Sequence, residues 1–159
     1  MPPRTHRRPL LPVAAAIAAA LGAACATAPK AEPPGAARTF SYQALSLRDA
    51  ALNAHDADAA ARVYAVDALV VDADSGQIVL RGRDQIREAH ARFLAACPRA
   101  RIEATERAYA EETRLVLDVV RTWCDRPPPI DGWARYQITG GSIVGVLKHA
   151  VPAFGELPP

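Results

Sequence analysis

Hydrophobic positions change spacing three times along this chain. Between Ser41 and His55 the apolar residues Tyr42, Leu45, Ala50 and Leu52 fall at loosely helical intervals among good helix formers, which predicts an amphipathic helix. Asn53-Ala-His-Asp interrupts it, and Asp56 or Asp58 can cap a second short helix through Tyr64 by accepting orphan backbone N–H bonds. Ala68–Asp72 is a short apolar run, DADSG a turn, and QIVLR a returning strand. From Asp84 the helical interval resumes, with Ile86, His90, Phe93, Leu94 and Cys97 on one face.

The C-terminal half alternates with a period of two. Arg101–Tyr109 and Thr113–Asp125 flank the acidic turn AEE and predict a long hairpin. PPPIDG breaks the pairing, because consecutive prolines cannot donate ladder bonds. Trp133–Thr139, Gly140-Gly141 and Ser142–Ala150 form a further hairpin. Three helices with a small β element between them, followed by an antiparallel meander, make an α+β domain.

Ahead of this domain lies a segment of another kind. Arg4, Arg7 and Arg8 lead into an Ala/Leu-rich run from Leu10 to Ala24, which has the proportions of a signal-peptide core rather than a membrane span. The sequence LGAAC at its end, running into Cys25, resembles a bacterial lipobox. Residues 1–24 are therefore read as a signal peptide of lipoprotein type, with Cys25 the lipidated residue; cleavage to a soluble periplasmic form is the alternative. Residues 25–39, rich in Pro and Ala, form a tether, the domain occupies 40–150, and 151–159 are an irregular tail. The expected location is the periplasmic side of the outer membrane. A net charge of +2 is too small to point to nucleic acid.

Three motifs carry a resemblance: Asn53-Ala54-His55-Asp56, Tyr64-Ala65-Val66-Asp67-Ala68 and Gly82-Arg83-Asp84-Gln85-Ile86. With looser matches at Trp133–Tyr136 and Gly141–Val144, the chain resembles the nuclear transport factor 2-like superfamily, particularly its SnoaL-like branch, and more distantly ketosteroid isomerase. That resemblance implies a cone-shaped fold, with three N-terminal helices packed on a curved antiparallel sheet around an apolar cavity, often in a homodimer. By its register Asp72 falls at the isomerase's general base, and Tyr64 and His90 at tyrosines of its hydrogen-bond network. The oxyanion-hole tyrosine falls near Arg48 and its partner acid near Trp133 or Ala134, so the neutral O–H donors of steroid isomerisation are missing.

The residues then divide among several roles. Asp72 is a candidate base if its pKa is raised at a cavity mouth, or the start of an Asx turn in DADSG. His90 is a candidate base or a pocket-lining side chain beside Tyr64. Arg121 alternates with Leu115, Leu117, Val119 and Trp123, so Arg121 and Trp123 share a sheet face and are candidate ligand contacts; Trp123, Trp133 and Tyr136 pack in the sheet or a dimer interface, or stack on a planar ligand. Pairing across the hairpin brings Cys97 close to Cys124, either as a disulfide in an oxidising compartment or as two core thiols. No metal site or cofactor is expected: the DADSG loop lacks the spacing and the bidentate Glu of a calcium loop, and the phosphate, dinucleotide and zinc motifs are missing. The leading functional reading is a binding module for a small apolar or organic molecule. The alternatives are a cofactor-independent isomerase, cyclase or hydratase using Asp72 or His90, and a structural dimerisation domain whose cavity is filled by its own side chains.

Overall fold

Alternation and capping chemistry account for most of the architecture in the computed structural model, which describes residues 35–125 and 128–155. The expected signal peptide, the lipidation site at Cys25 and most of the tether lie outside the described residues. Helix α1 runs Ala36–Asn53, five residues earlier than its apolar spacing suggested. Its buried stripe is Ser41, Ala44, Leu45, Arg48, Ala51 and Leu52, a regular helical interval with a charge at its centre. At its C-terminal end the Asn53 side chain clamps the backbone of Ile102, accepting from its N–H at 2.7 Å and donating to its carbonyl at 2.9 Å.

Helix α2 spans Ala57–Arg62, and its cap is Asp56, which accepts from the Ala59 N–H at 2.7 Å. It ends before Tyr64, which opens strand β1, Tyr64–Asp72. Strand β2, Ile78–Arg81, returns against β1, and helix α3 follows at once over Gly82–Ala96. The Gln85 side chain reaches back to accept from the Arg81 N–H at 2.8 Å, satisfying a donor at the helix entrance.

Strands β3 (Arg101–Ala110), β4 (Leu115–Trp123), β5 (Ile130–Thr139) and β6 (Ser142–His149) complete the sheet, in the order β2-β1-β6-β5-β4-β3. All neighbours are antiparallel except β1 and β6, which run parallel, so the sheet is mixed rather than a pure meander. A bulge at Thr105 shifts the β3–β4 register by one residue but leaves Arg101 opposite Trp123. The chain ends flanking that pair are joined by a Cys97–Cys124 disulfide, with Cα atoms 5.2 Å apart.

Two further expectations need correction, besides the mixed sheet and the second helix, expected to run through Tyr64. Residues 151–155 are ordered rather than irregular: Pro152–Phe154 form a 3-10 helix whose three side chains are buried in the core. Strand β4 also shows the opposite face to the core. Val116, Asp118, Val120 and Thr122 point inward, while Leu115, Leu117, Val119, Arg121 and Trp123 lie on the half-exposed outer face. The more apolar of the two alternating sets is the outer one, because the inner set includes a carboxylate that two arginines neutralise.

Candidate functional site

The interior between α1, α3 and the sheet is polar at its centre. Arg48 sits on the buried stripe of α1 and is only 3% exposed. Its guanidinium donates to Asp118 Oδ2 at 3.1 Å, to the adjacent Asp49 and to the Tyr136 hydroxyl, and it lies over the Tyr136 ring. Arg107 closes the group, donating to Asp118 at 3.0 Å through both Nε and Nη2 and to Asp49 at 2.7 Å. Two arginines and two aspartates thus form one neutral cluster, and Asp118, wholly shielded from solvent, accepts three charge-assisted hydrogen bonds.

Burial alone would weaken the charge on Arg48, but Asp49, Tyr136 and Asp118 hold it more firmly protonated than in water. Burial likewise opposes ionisation of Asp49, and the two guanidinium groups outweigh it, so its pKa is lowered. Tyr136 is pushed up by burial, only partly offset by Arg48, and remains a neutral phenol.

Next to this cluster stands an aromatic group. The rings of Tyr64 and His90 are 5.8 Å apart, and Phe154 meets Tyr64 edge-on at 6.5 Å and His90 at 5.6 Å. His90 Nδ1 is 2.8 Å from the Ala153 carbonyl oxygen. A carbonyl only accepts, so Nδ1 carries the proton and Nε2 presents a bare lone pair. Nε2 is buried without a hydrogen-bond partner. Burial, reinforced by the Arg48 charge, lowers the His90 pKa to about 4 despite the bond to Ala153, so the ring is neutral at pH 7.

The Tyr64 hydroxyl is also buried without a hydrogen bond of good geometry, although the Arg48 guanidinium acts on it. Its pKa is pushed up to about 12 by burial, against that guanidinium. An unsatisfied buried polar atom costs about 1–3 kcal/mol, so the bare His90 Nε2 on the wall of a cavity calls for a guest or a water. The cavity, lined by Arg48, His90, Tyr136 and Phe154 among others, offers about 10 Å³ to the centre of a water-sized sphere. That is room for roughly one water.

Asp72 belongs elsewhere. Its carboxylate accepts from the N–H and hydroxyl of Ser75, both at 2.8 Å, and pairs with the buried Lys148 Nζ at 3.1 Å. The Ser75 bonds first, then Lys148, hold its pKa well below the ordinary carboxylate range. A general base working near neutrality needs the reverse shift, and the contacts of Asp72 are with the turn and the β1–β6 pair. Arg121 and Trp123 likewise lie away from the cavity. Arg121 pairs with Asp131 at 2.7 Å and 2.9 Å on the outer face, and Trp123 lies under the Arg101 guanidinium there.

Of the residues expected at the site, the structure thus groups Tyr64 with His90 and leaves Asp72, Arg121 and Trp123 apart. Asp118, Arg107 and Asp49 were missed, and Arg48 was noted only as a misfit. A signal existed: Leu45, Arg48 and Leu52 follow the helical interval, and Val116, Asp118 and Val120 the strand interval, so an opposite charge stands mid-stripe on each facing element. Among the described residues, no group of three or more His, Cys, Asp or Glu could hold a metal ion.

Comparison with known proteins bears on the fold. The family model described as SnoaL-like domain matches residues 47–146. No curated protein matches the chain. Among solved structures, a cystatin-fold protein from Novosphingobium aromaticivorans is similar at 22% identity, covering 69% of this chain and 97% of that one, with a TM-score of 0.59. A protein of ketosteroid isomerase-like fold from Catenulispora acidiphila, in complex with trimethylamine, is similar at 20% identity, covering 73% and 94%, with a TM-score of 0.58. A protein with a cystatin-like fold from Methylobium petroleophilum reaches a TM-score of 0.62 at 11% identity, covering 77% and 80%.

Proposed function

Since the chain belongs to the SnoaL-like family, within the nuclear transport factor 2-like superfamily, we propose that it is an exported binding protein for a small, neutral organic molecule. The ligand lies in the cone with its apolar body against the core and its polar end near Arg48, Tyr64 and His90. One observation carries this reading: the lone pair of His90 Nε2 is buried on the wall of a cavity with nothing bonded to it. The ligand is neutral because Arg48, Arg107, Asp49 and Asp118 already balance one another. No cofactor is invoked.

An enzymatic reading rests on His90 alone. A neutral imidazole with a free nitrogen can accept a proton from a bound substrate, and Asp72 is not available for the task. Turnover abolished by His90→Phe, with ligand binding retained, would favour it.

The Cys97–Cys124 disulfide supports an oxidising compartment, in line with a signal peptide over residues 1–24 and a lipid on Cys25 at the periplasmic side of the outer membrane. The partner is a second copy of this chain. Leu69, Val71, Leu115, Leu117 and Leu147 are half-exposed on the outer sheet face, with Arg135 and Gln137 exposed between them, a mixed surface that a symmetric dimer can cover.

Native mass spectrometry of residues 26–159, purified from an oxidising compartment, tests the central claim. The expected result is a dimer that releases a small neutral molecule on denaturation. Protein that carries nothing, and that shows no saturable shift with any member of an aromatic and aliphatic fragment set, would remove the binding reading. The filled-cavity dimer would then stand.

A further inference from the structure

The chain that follows β6 enters the core instead of leaving it. Val151, Pro152, Ala153 and Phe154 are all buried, and Phe154 is only 4% exposed. Apolar packing against Tyr64, His90 and the core holds this segment, and few polar bonds add to it. Its backbone bonds are internal, from the Phe154 N–H to Val151 and from the Gly155 N–H to Pro152. Among the described residues, its one hydrogen bond to the rest of the fold is that between Ala153 and His90.

The turn into the core is conformationally unfavourable. Ala150 adopts φ +49°, a left-handed conformation that a side chain with a Cβ resists, and Gly155 at φ +105° marks the other end. Gly132 makes the turn feasible. A Cβ there would lie 2.2 Å from the Ala150 carbonyl oxygen, so only glycine admits the chain at this point.

Building on the binding function above, we propose that Val151–Phe154 is a displaceable plug, and that the site beneath it takes a planar aromatic molecule bearing a hydroxyl group. The Phe154 ring holds the place of the ligand's ring, between the faces and edges of Tyr64 and His90. The Ala153 carbonyl holds the place of a ligand oxygen on His90 Nδ1. A phenolic hydroxyl matches both nitrogens of a neutral imidazole, accepting from the protonated one or donating to the bare one. An anion is disfavoured because the two neighbouring arginines are already matched by Asp49 and Asp118. With the plug seated the cavity admits about one water, so ligand entry requires the segment to leave.

p-Cresol and toluene are the probes, toluene being the Phe side chain with its backbone bond replaced by hydrogen. Binding is followed by NMR titration of the full chain, of Phe154→Ala and of a chain ending at Ala150. Both altered chains should bind p-cresol about tenfold or more tightly than the unaltered chain, because neither has the Phe154 ring to expel. His90→Phe in the Phe154→Ala background should erase the preference for p-cresol over toluene. A ligand that merely fills the space left by a deleted ring would keep the same preference.

Hydrogen exchange on the unaltered chain needs no variant to fold. The Phe154 and Gly155 amides should exchange through a local opening, faster than Val120 in β4, and p-cresol should speed them further. Exchange of those amides at the rate of global unfolding would overturn the plug. Tight p-cresol binding by the unaltered chain, unchanged by Phe154→Ala, would overturn it as well while leaving the binding function intact. Local opening with no probe bound by any chain would overturn the aromatic ligand and count against the binding function itself.

Discussion

The Arg48–Asp118 pair gives the sharpest energetic prediction. Asp118→Asn keeps the side chain's shape and removes its charge. The aspartate accepts three hydrogen bonds, at 3.1, 3.0 and 3.0 Å, from two guanidinium groups in a solvent-free position. Asparagine offers one oxygen in their place and turns an NH₂ towards a cation. The cluster then holds one positive charge in excess, and breaking a buried pair in this way costs about 3–5 kcal/mol. Arg48→Met leaves the opposite excess at a similar cost. In the double variant both charges are gone, while Arg107 and Asp49 stay paired at 2.7 Å. Its cost should therefore fall short of the sum of the two single costs by about 2 kcal/mol or more. Urea unfolding followed by circular dichroism supplies the four free energies. Costs that add to within about 0.5 kcal/mol would refute the claim that the two residues form one neutral unit.

Three further outcomes follow from the same geometry. His90 has a folded-state pKa of about 4 against 6.5 for an exposed ring, so its contribution is complete above pH 6.5 and is lost as the pH falls towards 4. The loss amounts to about 3 kcal/mol, and His90→Phe should flatten that part of the curve of stability against pH; an unchanged slope would contradict the assignment. The Cys97–Cys124 bridge closes a separation of 27 residues, which by loop entropy stabilises by about 3.5 kcal/mol; Cys97→Ala with Cys124→Ala should lower the denaturation midpoint accordingly. Asp72→Asn should reduce thermal stability, by weakening the Ser75 turn and the Lys148 pair, yet leave p-cresol affinity in the Phe154→Ala chain unchanged. A loss of affinity would return Asp72 to the site.

How much of this was legible in the sequence depended on whether a signal was local. The Asp56 cap, the DADSG turn, the strand pairs and the third helix follow from residue types within a few positions of one another, and they stand where spacing put them. Strand β4 failed because both of its faces are mostly apolar and each carries one charged side chain, Asp118 or Arg121. Which charge is buried depends on Arg48, 70 residues away in the chain, and on Arg107 across the hairpin. The parallel β1–β6 contact is hidden for a similar reason, since strands at opposite ends of the domain carry no mark of adjacency. Residues 151–155, Val-Pro-Ala-Phe-Gly, are too short to show either period, and burial of their side chains is set by what surrounds them.

The contrast between Asp72 and His90 shows why position in a fold underdetermines chemistry. A carboxylate becomes a base when burial raises its pKa and no cation answers it. Asp72 has two donors from Ser75 and the ammonium of Lys148, so every neighbour favours the charged form and none favours taking up a proton. His90 is its opposite. Burial and the nearby Arg48 both disfavour its cation, leaving a neutral ring with one nitrogen committed to Ala153 and the other bare. The one bare proton acceptor on the cavity wall thus belongs to α3, held by the segment after β6, and not to the end of β1. It also depends on a contact that the chain can break: when Ala153 and Phe154 withdraw, His90 loses both its acceptor and an aromatic neighbour, and a phenol can replace the two together.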